Sequence, residues 1–171
     1  KKFKTKKLKS IIVSEEYKFW KFISGKKFLN ENLISLDMRL LKNFYLNKGF
    51  YNAKIQSSFA KLINPNEFEI IFNIQANERY YFNNLSLNLP DEFEAKNFMD
   101  ITELFEKLKG EPYSINRVKD ILEEIDKITT YEQFQSISAK VIENFENEKI
   151  NLAFEIEQIE QSYVERINIF G

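Results

Sequence analysis

The chain has 171 residues, 30% of them charged, a net charge of -1, and neither cysteine nor histidine. This composition excludes thiolate and imidazole metal sites, cysteine nucleophiles and a Ser-His-Asp triad, and no overall basic field points to nucleic acid. No apolar run approaches the roughly 20 residues that a membrane-spanning helix requires, and seventeen Phe, eight Tyr and one Trp supply dense cores for small domains.

From the N-terminal end, Leu8, Ile11 and Ile12 at helical spacing predict a short amphipathic helix over Thr5 to Val13. Lys1, Lys2, Lys4, Lys6, Lys7 and Lys9 make a basic cluster around it, read as a solvated face, with anionic lipid headgroups or acidic partners as the alternative. An aromatic loop, Tyr17 to Phe22 with Trp20 at its centre, is expected to fold its rings onto the helices. Asn30 then caps a helix to about Asn47, with Leu33, Leu36, Leu40 and Phe44 as one stripe beside Leu41 and Tyr45. Asp37, within this helix, reads as a structural contact. Lys48-Gly49 ends the helix, because glycine adopts positive φ without steric cost. Ala53 to Lys61 and Phe68 to Ile74 form a hairpin across Asn64-Pro65-Asn66.

The order then repeats. Tyr81 to Leu89 alternates as a strand, and Asp100 with Glu103 has the spacing of a capping box opening a helix from Ile101 to Lys109. Ser114 caps a helix to about Thr129 carrying Val118, Ile121, Leu122, Ile125 and Ile128. Ser136 to Glu143 and Ile150 to Glu157 form a second hairpin. Ile70, Phe72 and Ile74 recur 82 positions later as Leu152, Phe154 and Ile156, and Tyr81 as Tyr163. Each unit therefore reads strand-helix-helix-strand-strand: residues 1-77 without the first strand, 78-161 complete, and 162-171 as the first strand of a third. The chain reads as a piece of something longer. The fold class this implies is α+β, two tandem two-layer domains, each with a three-stranded mixed sheet covered by two helices.

If the last strand of each unit is central, the hairpin's first strand lies at an edge with unpaired N–H and C=O groups. The candidate binding edges are Ala53-Lys54-Ile55-Gln56-Ser57-Ser58-Phe59 and Ser136-Ile137-Ser138-Ala139-Lys140-Val141-Ile142. Backbone pairing reads extension rather than sequence, so such an edge accepts many extended partners. The competing reading makes Lys54 and Lys140 gatekeepers against aggregation. Paired carboxylates such as Glu123 and Glu124 point different ways on a helix, so no glycosidase dyad is assigned, and no enzymatic activity, cofactor, metal or small-molecule substrate is expected.

The element order and its local words resemble the POTRA (polypeptide-transport-associated) repeats of the BamA outer-membrane assembly family. Asp37, Leu41, Tyr45, Gly49 and Phe50 fit a D-x-x-x-L-x-x-x-Y-x-x-x-G-[YF] pattern, and Tyr163 to Gly171 is similar to the junction where one repeat hands over to the next. The second unit departs from the pattern, with Gln133-Phe134 in place of Gly49-Phe50 and Leu89 in place of the junction glycine. By this likeness the units would be the third and fourth repeats and the opening of the fifth. Trp20, Asp37, Tyr45, Gly49, Phe50, Tyr81 and Tyr163 would be structural. The resemblance implies a periplasmic, non-enzymatic scaffold of a bacterial outer-membrane protein. Such a scaffold docks accessory lipoproteins, pairs transiently with unfolded outer-membrane proteins by β-augmentation and stands beside the parent chain's membrane β-barrel. Alternatives are repeats of an autotransporter-assembly or two-partner-secretion transporter, or of a cell-division docking protein.

Overall fold

The computed structural model describes residues 2-14, 31-64, 67-91, 93-131 and 137-158. The chain divides into two compact units. The first comprises Lys1–Tyr81 together with Pro112–Ile115, and the second Phe82–Glu111 with Asn116–Gly171.

In the first unit, α1 (Thr5–Lys9) is followed by α2 (Glu31–Leu46), β1 (Lys54–Asn64) and β2 (Glu67–Gln75). The α2 stripe buries Asp37, Leu41 and Tyr45, one turn apart each time, so a single face of the helix enters the core. Tyr45, Phe50 and Ala53 form the buried centre, against which Phe3, Leu8, Phe44, Ile55 and Ile74 pack. Phe3 meets the rings of Phe44, Tyr45 and Phe50 edge-on at 4.8, 5.2 and 5.8 Å, the arrangement aromatic quadrupoles favour. Burial raises the Tyr45 phenol above its usual range, because the charged form would lose hydration.

Asp37 is fully buried, and its carboxylate accepts the backbone N–H of Val13 at 2.7 Å and that of Ser14 at 3.2 Å. It therefore ties the segment after α1 to the middle of α2. A carboxylate taken from water is tolerated only where such donors replace its hydration. Asp37→Ala is expected to cost about 2 kcal/mol, since it removes a charged acceptor and leaves buried donors unmatched. Urea unfolding would report it, with Asp37→Asn recovering part of the loss.

Gly49 closes α2 at φ +87°, and its carbonyl accepts the N–H of Tyr80 at 2.7 Å. A Cβ here would lie 2.8 Å from the Tyr80 carbonyl oxygen and 2.9 Å from Cγ of Arg79. Gly110 has a similar φ of +82° but faces open space. Gly49→Ala should therefore cost about 2 kcal/mol or more, combining left-handed strain with a backbone clash, whereas Gly110→Ala bears only the strain, about 1 kcal/mol. Thermal melts of the two variants give the comparison. Arg79 completes the same corner, its Nε donating to the Lys48 carbonyl at 2.9 Å and its guanidinium lying over Phe50 and Tyr81. Asn77, at φ +58°, turns the chain out of β2 and donates Nδ2 to the Asn52 carbonyl at 2.7 Å.

The second unit contains β3 (Tyr81–Asn88, beginning at the last residue of the first unit), a 3-10 turn at Ala95–Phe98, α3 (Met99–Leu108), α4 (Ile115–Tyr131, whose first residue belongs to the first unit), β4 (Ile137–Glu146) and β5 (Lys149–Gln158). Its three strands are ordered β3-β5-β4 in a mixed sheet, so β5 is central. Alternate residues Ile150, Leu152, Phe154 and Ile156 of β5 are buried, the period-2 pattern of a strand with one covered face. Ile101, Phe105 and Leu108 of α3 and Val118, Ile121 and Ile125 of α4 are buried with them. Phe105 stacks on Phe154 at 5.4 Å. The fold class is the α+β, three-stranded mixed sheet with helices expected from the sequence.

Several local expectations are corrected. The first helix stops at Lys9 rather than Val13. The capping box at Asp100 and Glu103 does not form: α3 starts at Met99 as a continuation of the 3-10 turn, and Phe98 stands at its N-cap without a side-chain hydrogen bond. Continuity with a preceding helical turn supplies backbone carbonyls where a cap would otherwise be needed. In β3 Phe82 is buried and Tyr81 is 37% exposed, while Leu85 and Leu87 are half-buried. Trp20, Ser136, Tyr163 and the segment 162-171 lie outside the described residues.

Candidate functional site

Backbone order decides which strand edges are open. In the second unit β5 has a neighbour on each side, and among the described residues no strand pairs with the other side of β4. The β4–β5 ladder is antiparallel and uninterrupted from Ile137↔Gln158 to Glu146↔Lys149, ten consecutive pairs. Alternate β4 residues must then direct N–H and C=O away from β5. In the first unit β1 pairs with β2, but its register shifts between Ser58 and Lys61 and again between Leu62 and Asn64. Extra residues of that kind bend and twist a strand and spoil its edge as a template.

The two candidate gatekeepers also differ. Lys140 extends across the sheet face to β5, where it lies 3.3 Å from Glu155, its cross-strand partner, and pairs with Glu157. These carboxylates, the Glu157 hydrogen bond first, raise the ammonium pKa above its usual value. The side chain is thus drawn toward the sheet interior and away from the open margin. Lys54, at the start of β1, is exposed and has no carboxylate partner among the described residues. On the face that carries Lys140, Ile142 is 39% exposed, and Phe145, on the opposite face near the hairpin turn, is 46% exposed.

The predicted site residues therefore separate. Ile137, Ser138, Ala139, Lys140, Val141 and Ile142 lie together on the regular edge strand β4. Lys54, Ile55, Gln56, Ser57, Ser58 and Phe59 lie on the irregular strand β1. Ala53 is not an edge residue. It precedes β1, is 1% exposed, and its carbonyl accepts the Lys42 ammonium, which also donates to the Tyr51 carbonyl at 3.2 Å. Burial lowers the Lys42 pKa. Ala53 is small enough to fit beneath Tyr45 and Phe50, which is why it sits in the core and not on the margin. The β1 irregularity had a signal in the sequence, since Ile55, Phe59 and Leu62 switch parity along the strand. The draw of Glu155 and Glu157 on Lys140 depended on a register that spacing alone does not fix.

Among the described residues no group of three or more His, Cys, Asp or Glu is gathered to hold a metal ion. No helix of the described residues is long and apolar enough to cross a membrane.

Comparison with known proteins gives three findings. Residues 1-77 match the family model of POTRA, described as surface antigen variable number repeat. No curated protein sequence matches the chain. Among solved structures, POTRA3-5 of BamA from Haemophilus influenzae matches with a TM-score of 0.61 and 9% identity over 91% of this chain and 61% of that one. BamA from Haemophilus ducreyi lacking POTRA domains 1-3 matches with a TM-score of 0.59 and 12% identity, over 81% of this chain and 25% of that one. POTRA1-2 of the periplasmic domain of Omp85 from Anabaena gives 0.52 and 12% over 91% of this chain and 86% of that one. This chain thus spans under two thirds of the length of the first two. The resemblance to POTRA repeats of the BamA family is present both in the sequence of residues 1-77 and in the fold.

Proposed function

We propose that this chain, whose fold is that of POTRA repeats, is two such repeats in tandem, residues 1-77 and 78-161, serving as a non-catalytic periplasmic scaffold of a bacterial outer-membrane protein. Its partners are unfolded outer-membrane protein strands, accessory assembly lipoproteins and the membrane β-barrel of its own parent chain. The strands add to the β4 edge by β-augmentation, with backbone hydrogen bonds giving affinity and alternate side chains little specificity. Transient clients need weak pairing, because a chain held tightly is not released.

The observation that carries this reading is the uninterrupted β4 ladder at a sheet margin whose one lysine is drawn inward by Glu155 and Glu157. The β1 edge, with its shifted register and its unpartnered Lys54, is the guarded one. A fluorescent ten-residue peptide of alternating apolar and polar residues, copied from a barrel strand, tests it by anisotropy. Peptides with shuffled sequence but the same alternation are expected to bind within a few-fold of one another. N-methylation of alternate peptide amides should abolish binding. Equal binding of the methylated peptide would refute backbone pairing as the source of affinity.

A further inference from the structure

The net charge of -1 conceals a segregation. The first compact unit carries 16 Lys and Arg against 7 Asp and Glu, a net +9, and the second carries 9 against 19, a net -10. Ion pairs among the described residues follow the same division. Lys96, Lys107, Arg117, Lys127 and Lys140 of the second unit each lie against a carboxylate. In the first unit Lys2, Lys4, Lys6 and Lys7, all exposed around the single short helix α1, have no carboxylate partner among the described residues. Lys2 and Lys7 instead lie over the rings of Phe50 and Phe44, at 5.6 and 6.0 Å. Their ammonium groups stand over the aromatic rings while both residues stay exposed.

We infer that the lysine-rich turn around α1 is a docking surface for an anionic phospholipid headgroup layer. Clustered like charges repel one another, so four lysines within six residues, with no carboxylate partner among the described residues, gain from any counter-charge placed before them. The kind of charge favours a lipid surface over an acidic protein. Fourteen of the sixteen basic residues of the first unit are lysines. Lysine is a flexible point charge suited to laterally mobile headgroups, whereas fixed carboxylates are better matched by the rigid fork of arginine. Arg79, one of the two arginines, is already occupied at the Lys48 carbonyl. The acidic second unit would be repelled by the same layer, so contact would be confined to one unit. This inference stands independently of client pairing at β4.

Cosedimentation of the full 171-residue chain with lipid vesicles tests it. Binding is expected to phosphatidylcholine vesicles containing phosphatidylglycerol, to be absent with phosphatidylcholine alone, and to fall steeply as salt shortens the Debye length. The combined variant Lys2→Gln, Lys4→Gln, Lys6→Gln and Lys7→Gln should weaken binding at least about tenfold while far-UV circular dichroism stays unchanged. The matched variant Lys107→Gln, Lys109→Gln, Lys119→Gln and Lys127→Gln should bind as the parent does. Equal binding to neutral vesicles, or an undiminished four-lysine variant, would overturn the inference. So would tighter binding of free polyglutamate than of the vesicles, which would point to an acidic polypeptide instead.

Discussion

Replacing Tyr113 by alanine is expected to destabilise the first unit by about 4 kcal/mol, although the residue lies in sequence between α3 and α4. Pro112–Ile115 belongs to that unit by its contacts, and Tyr113 is completely buried. Its N–H donates to the Tyr80 carbonyl at 3.0 Å, and its ring meets that of Tyr51 edge-on at 5.3 Å. Pro112 bridges to Tyr81, and the Ser114 hydroxyl donates to Asn47 Oδ1 at 2.8 Å. Truncation removes the ring and leaves a cavity among Tyr51 and Tyr80. Residue-resolved amide exchange against urea should show the loss in α2, β1 and β2. Tyr113→Phe, which keeps the ring, should lose far less. A loss confined to α3 and α4 would show that Tyr113 serves the other unit.

Phe154→Ala is the second large effect, again about 4 kcal/mol, and this time in the second unit. Phe154 is completely buried in the central strand, stacked on Phe105 of α3 and opposite Val141 of β4. One truncation therefore loosens the contact between the helix layer and the sheet, and a close-packed interior refills such a space only in part. Calorimetry should show the lower transition. The equivalent position of the first unit, Phe72, is only half-buried, and Phe72→Ala should cost less than half as much. Equal costs at the two positions would contradict the difference in burial.

Much of this architecture was legible from spacing. The helix read to about Asn47, the two hairpins and the strand from Tyr81 are all present, because each has a clear period, while Asn30 lies outside the described residues. Leu152, Phe154 and Ile156 were identified as one face and are buried as one. What spacing missed depended on contacts distant in sequence. Asp37 reads as a structural contact, but its partners, the backbone N–H groups of Val13 and Ser14, lie 24 and 23 positions earlier and spacing does not name them. Ala53 looked like the first residue of an edge strand, but its lack of bulk suits it to the space beneath Phe50. Asp100 and Glu103 had the spacing of a capping box, and a preceding 3-10 turn made the cap unnecessary. The overall charge misled as well: a balance near zero conceals one basic and one acidic unit, and only the division into units reveals it.

For the candidate site, alternation identified both hairpin leading strands, but it did not rank them. The ranking rests on register, which places Glu155 opposite Lys140 and shifts β1 beyond Ser58. A one-residue change of pairing would turn each side chain to the other face. Lys140 would then point away from its carboxylates and could guard the margin.

The most direct measurement is backbone amide exchange, residue by residue, in the full chain with and without a saturating unfolded barrel-strand peptide. Added protection is expected at alternate residues of Ile137–Glu146, with little change along Lys54–Asn64. Unchanged exchange along Ile137–Glu146 in the presence of bound peptide would contradict the assignment of β4 as the client-accepting edge.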